Sequence, residues 1–132
     1  MTTRRRFIPA VLALAAGPAA LPGARANELP DDLVLAVRQV IEGQLQAMAE
    51  GNAQRAFSFA APGIRQQFGN ATRFMAMVHG SYPMVVQPAS TAFFRPTLDD
   101  GDVLQVVALR DRDGRHWRAT YRLERQADAS WR

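Results

Sequence analysis

The sequence predicts an α+β domain in which N-terminal helices pack on an antiparallel sheet. Three observations carry this. From Leu33 to Val78, apolar residues recur at three- and four-residue spacing, the period of an amphipathic helix. From Tyr82 onward, Pro83, Pro88 and Pro96 forbid any long helix, and the apolar period falls to two. Asp113-Gly114 then marks a tight hairpin between two strand-forming runs. The absence of cysteine excludes disulfides, zinc fingers, thiol redox chemistry and a cysteine nucleophile.

The chain divides into a leader, residues 1–26, and a single domain, residues 27–132. The leader reads as an export signal. Its basic start, Met1–Arg6, precedes an apolar stretch from Phe7 to Leu21 that Pro9, Gly17 and Pro18 interrupt. That stretch is too short and broken to cross a bilayer, which takes roughly 20 apolar residues. Ala24 and Ala26 form a small-residue cleavage pattern, with the cut expected after Ala26. Thr3-Arg4-Arg5-Arg6-Phe7-Ile8 follows the twin-arginine pattern, with Arg4, Arg5 and Phe7 as its marks and Pro9 a departure from it. An ordinary secretory signal with three arginines is the other reading. The expected location is periplasmic or secreted.

In the domain, Pro30-Asp31-Asp32 opens a first helix with acids at its positive end. Leu33, Val37, Val40, Ile41, Leu45 and Met48 form its apolar stripe, and Gly51-Asn52 stops it. A second helix is expected over Ala53–Ala60. A short third one runs from Pro62 to a stop at Gly69. Asn70 is placed to cap a fourth, Ala71–His79. Asn70-Ala71-Thr72 is also a glycosylation sequon, read here as a cap.

Met84–Pro88 and Ser90–Arg95 read as interrupted strands, and Asp99–Asp102 as a turn. Val103–Arg110 is apolar on both faces except at Gln105, as in a central strand. In the next strand Trp117, Ala119, Tyr121 and Leu123 alternate with polar residues, so they face inward. Ala127–Ser130 makes a further turn, and Trp131 looks like the first inward residue of another strand. A strand edge left bare there invites pairing. Three outcomes are expected: a short terminal strand, an edge covered by a partner chain, or a product without its natural end.

All 16 basic residues are arginine, against 12 acids. Arg4, Arg5, Arg6 and Arg25 lie in the leader, so the domain carries as many acids as arginines. A neutral, exported domain argues against nucleic acid as partner.

Gln44-Leu45, Ala56-Phe57-Ser58-Phe59-Ala60, Phe68-Gly69, Tyr82-Pro83, Gln105-Val106-Val107, Asp113-Gly114 with Trp117 and Tyr121, and Ser130-Trp131-Arg132 together resemble the bacterial exported family called domain of unknown function 4864. The resemblance covers nearly all of the domain and rests on packing residues. It implies helices followed by a curved antiparallel sheet, similar to the nuclear transport factor 2-like cone. It also implies a final strand beyond Ser-Trp-Arg, which this chain lacks. It implies no activity and no functional residues.

A cone of this kind encloses a space between sheet and helices, so Phe57, Phe74, Tyr82, Trp117 and Tyr121 are the candidate ligand-pocket residues. The apolar pattern alone already places these rings inward, which favours a plain core. Arg118 and Arg122 are candidate anion contacts, although interleaved Asp111, Asp113 and Glu124 favour a solvated, paired face. His79 suits the negative end of its helix and is a weak general-base candidate. Two distant histidines give no metal-ligand spacing, and Asp99, Asp100 and Asp102 lack the pattern of a calcium loop. No catalytic residue, cofactor or metal is expected. The resulting expectation is a non-enzymatic domain of the cell envelope that binds a small apolar or amphipathic molecule, or a partner protein. An acid–base isomerase, dehydratase or hydrolase is one alternative. A homodimerisation module that pairs through an open sheet edge is the other. No span crosses the membrane in the domain itself.

Overall fold

A computed structural model of the chain describes residues 3–7, as backbone, and residues 29–132. The first strand, β1 (Thr3–Phe7), precedes four helices: α1 (Asp31–Ala49), α2 (Ala53–Ser58), α3 (Pro62–Phe68) and α4 (Ala71–Ser81). A single turn of 3-10 helix, Pro83–Val85, leads to β2 (Ser90–Phe93), β3 (Thr97–Asp99), β4 (Asp102–Arg110) and β5 (His116–Leu123). The domain is thus α+β, with helices followed by an open antiparallel sheet of β2 to β5. Among the described residues no helix is long and apolar enough to cross a membrane.

Local chemistry sets the helix bounds. Asp31 and Asp32 occupy the first turn of α1, where the helix dipole favours negative charge. The Asn52 and Asn70 side chains accept from the backbone N–H groups of Arg55 and Arg73, capping α2 and α4. Gly69 ends α3 at a φ of 79°, a conformation glycine enters without a Cβ penalty. Asn70 of the sequon therefore serves as a helix cap.

Met84–Pro88 is not a strand. Pro83 stands at the first position of the 3-10 turn, where its missing N–H is harmless. The turn drops Met84 and Val85 into the core. Thr97–Asp99, which the sequence does not mark as a strand, pairs with β4 through a two-residue turn at Asp100-Gly101, both at positive φ.

In the sheet β4 is central. One edge pairs with β5 over its whole length, and the other pairs with β2 and β3 end to end. Between β2 and β3 the register shifts by one residue, so the chain bulges at Phe94–Pro96. Pro96, buried and lacking an N–H, sits where a ladder bond is already lost. Gln105, directly across from Tyr121, fills the gap: its Nε2 donates to the carbonyls of Phe94 (2.6 Å) and Val106 (3.0 Å). The one polar exception in β4 is thus on the core face, buried and bonded.

The inward residues of β4 and β5 (Val103, Val107, Leu109, Trp117, Ala119, Tyr121, Leu123) join Val37, Ile41 and Met48 of α1 and Phe74 and Val78 of α4 in one core. Beyond β5, residues 124–126 fold back on 130–132: Glu124 and Arg132 exchange backbone bonds of 2.8 and 3.1 Å, and Arg125 bridges Trp131. Trp131 is buried. Among the described residues no strand follows β5; the fold-back carries the single bridge between Arg125 and Trp131. β1 pairs in parallel with the outer edge of β5, so that edge is not bare.

Candidate functional site

The five ring residues expected to line a cavity are mostly packed away. Phe74 and Tyr121 are fully buried, and Trp117 is 7% exposed. The Phe74 ring stands 5.4 Å from that of Phe57 and 6.1 Å, edge on, from Phe68. Tyr82 is half-buried against the same core. Burial raises the pKa of the Tyr121 phenol far above its ordinary value, which leaves it protonated at any physiological pH. Of the five, Trp117 borders a hollow beside the end of α4.

The two arginines on the outer face of β5 are engaged. Arg122 donates through Nη1 to Asp99 (2.7 Å) and through Nε to Asp102 (2.8 Å). The Asp99 carboxylate first, and Asp102 with it, push the guanidinium pKa up. This pairing also accounts for two of the three aspartates of the β3–β4 turn. Arg118 lies over the Phe94 ring, 4.8 Å from its centre. Arg4, Arg5 and Phe7, the expected marks of an export signal, fall in β1, whose backbone alone is described. The cleavage point after Ala26 lies outside the described residues.

A hollow of about 410 Å³ lies between the end of α4 and the β4–β5 turn, bordered by His79, Met84, Asp111, Arg115 and Trp117. It brings a histidine and a carboxylate together, but the carboxylate braces the turn. Asp111 Oδ1 accepts from the N–H groups of Asp113 and Arg115, and Oδ2 accepts from Trp117 Nε1 at 2.9 Å. The indole bond, before the backbone bonds, holds the Asp111 pKa below its ordinary value. The stabilisation is therefore present above the unfolded carboxyl pKa of about 3.9 and is lost as pH falls through the lower folded value. The indole N–H resonance of Trp117 is expected to follow that titration by NMR. A resonance indifferent to it would show that Asp111 is not the acceptor.

A hollow of about 800 Å³ forms a groove between the first half of α1, the end of α2 and the terminal hairpin. Leu33, Ala36 and Val40 present one apolar wall from successive turns of α1, and Phe59 and Trp131 supply aromatic surface opposite. Arg125, Arg132 and Ser130 add polar groups from the hairpin, and Asp32 adds a carboxylate from α1. Local rules place each wall. Phe59 follows α2 and lies across Gly43, where an added Cβ would stand 2.7 Å from its ring. Ala129 takes a positive φ of 70°, and Asp128 Oδ1 accepts from Ser130 N–H at 3.0 Å, turning the chain back on itself.

The sequence does not single out Phe59, Trp131 or Arg132 as site residues, and Arg125 enters only as one of a run of arginines. Gly43 is the available signal: a glycine inside a helix costs about 1 kcal/mol against alanine and marks a close approach. Among the described residues no group of three or more His, Asp or Glu side chains is placed to hold a metal ion.

Comparison of the chain with curated proteins and with solved structures finds no match in either. One family model does match, and it spans residues 31–132, from the first residue of α1 through the terminal hairpin that closes the groove. By that match the chain belongs to the family described as a domain of unknown function, DUF4864.

Proposed function

We propose that this protein is an exported, non-enzymatic binding module of the cell envelope, and that it holds a small amphipathic molecule with an anionic end in the groove between α1 and the terminal hairpin. One observation carries the reading. The groove is of ligand size, and its lining combines aliphatic (Leu33, Val40) and aromatic (Phe59, Trp131) residues with two arginines, Arg125 and Arg132. An apolar tail gains by leaving water against the first set, and a carboxylate or phosphate gains a charge-assisted bond from the second. Export rests on the basic start, apolar stretch and Ala24/Ala26 pattern of the leader.

Dodecanoate below its micelle concentration is the probe. It is expected to raise the melting temperature of the protein and to change tryptophan emission through Trp131. Arg125→Glu combined with Arg132→Glu should weaken binding about ten-fold or more, a loss of about 1.4 kcal/mol. Dodecanol should bind more weakly than dodecanoate to the unaltered chain and be insensitive to the charge reversal. No response to either probe, or an affinity that ignores the reversal, refutes the reading. Recovery of a chain beginning at Asn27 from the periplasmic fraction tests the address.

A further inference from the structure

Backbone polarity along β5 can be followed residue by residue. Glu124 exchanges bonds with Arg132, so its N–H and C=O point away from β4. At the other end Asp111 N–H donates to Arg115 C=O across the β4–β5 turn. Alternation along an antiparallel strand then directs Trp117, Ala119 and Tyr121 toward β4 and His116, Arg118 and Thr120 toward the outer edge. On that edge Thr3–Phe7 runs parallel, with Thr3 opposite His116, Arg5 opposite Arg118 and Phe7 opposite Thr120. In a parallel ladder each residue bonds to the two that flank its opposite number. The backbone groups facing β5 are therefore those of Arg4 and Arg6.

We infer that the outer edge of β5 is a strand-addition site whose occupant is the chain's own Thr3–Phe7. The folded chain thereby ties up the segment that carries the Arg4-Arg5 pair. The pairing itself is independent of any role for the leader. Its consequence, that an export receptor must compete with β5 for the arginine pair, rests on the export reading above. The clip is built to open. β1 pairs with β5 alone, on one side. Its register also sets Arg5 opposite Arg118. The strand ladder that joins it to β5 is the only backbone pairing of β1 among the described residues.

Amide hydrogen exchange on the full chain reads this directly. In the unaltered chain Arg118 and Thr120 are expected to be protected. Arg4→Pro with Arg6→Pro removes both donors that face β5. It should speed exchange at Arg118 and Thr120 ten-fold or more, while Ala119 and Tyr121, bonded to β4, keep their rates and report an intact fold. Arg5→Pro places its ring where the strand faces away and should leave all four unchanged. Free exchange at Arg118 and Thr120 in the unaltered chain, unchanged protection in the double variant, or an equal loss in Arg5→Pro overturns the site.

Sequestration has its own arm. Arg118→Glu puts an acid at the position opposite Arg5 and should raise Thr120 protection several-fold while slowing arrival of the protein in the periplasm. Tighter docking with an unchanged export rate rejects sequestration. An unaltered chain that is never exported rejects the address instead and leaves the exchange result standing.

Discussion

Phe74→Ala is expected to lower the free energy of unfolding by about 3–5 kcal/mol, the range for a buried phenylalanine. The ring has no exposed surface and locks two others, Phe57 and Phe68, through tilted and edge-on contacts. Its loss removes the transfer free energy of the side chain and opens a cavity between α2, α3 and α4. These helices are too short to close over it independently, because α2 and α3 have only 6 and 7 residues. A domain of this size is stable by about 5–15 kcal/mol, so one substitution consumes a large share. Urea unfolding followed by circular dichroism measures the change, and the midpoint should fall with little change in slope. Leu35→Ala is the control, since Leu35 is 55% exposed on α1 and should shift stability by less than about 0.5 kcal/mol. Equal effects of the two would place Phe74 outside the core.

Trp131→Ala is expected to cost about 3 kcal/mol, although the residue stands beside the last one in the chain. Chain ends usually fray unless something ties them down. Here the tie is the indole, only 9% exposed, held against the core by a backbone bridge to Arg125. Removing it should release residues 124–132 as a unit. The melting temperature should drop by on the order of 15 °C. The Glu124 amide, bonded to Arg132, should lose protection while amides in the centre of β4 keep theirs. Because Trp131 also borders the large groove, dodecanoate binding should fall with it. A loss below about 1 kcal/mol would show that the hairpin rests on the domain without supporting it.

These expectations depend on features of unequal visibility in the sequence. The four helices are legible because their signals are local: acids at the start of α1, a stop at Gly51-Asn52, an asparagine cap at Asn70 and glycine after α3. β5 is legible because Trp117, Ala119, Tyr121 and Leu123 keep a strict period of two. Met84–Pro88 misleads because three apolar residues beside prolines satisfy both a strand and a 3-10 turn, and only the packing of Met84 and Val85 decides. Three-residue β3 has no pattern of its own and exists through its pairing with β4. The groove is not legible because its walls are 102 residues apart at the extremes, from Pro30 to Arg132, and no local rule joins them. The backbone pairing of Thr3–Phe7 is not legible because it depends on a strand edge built far downstream, at His116–Leu123.

The amide of Gln105 gives the sheet a form of error correction. A strand that slipped by one position against its neighbour would send that amide to the opposite face and strand the Phe94 carbonyl without its donor. Misaligned pairings are therefore short-lived while the chain folds, and the correct alignment is selected by a penalty on the wrong ones more than by extra adhesion in the right one. An aliphatic residue of the same shape at this position would yield a sheet that holds together but loses the means to reject a shifted partner.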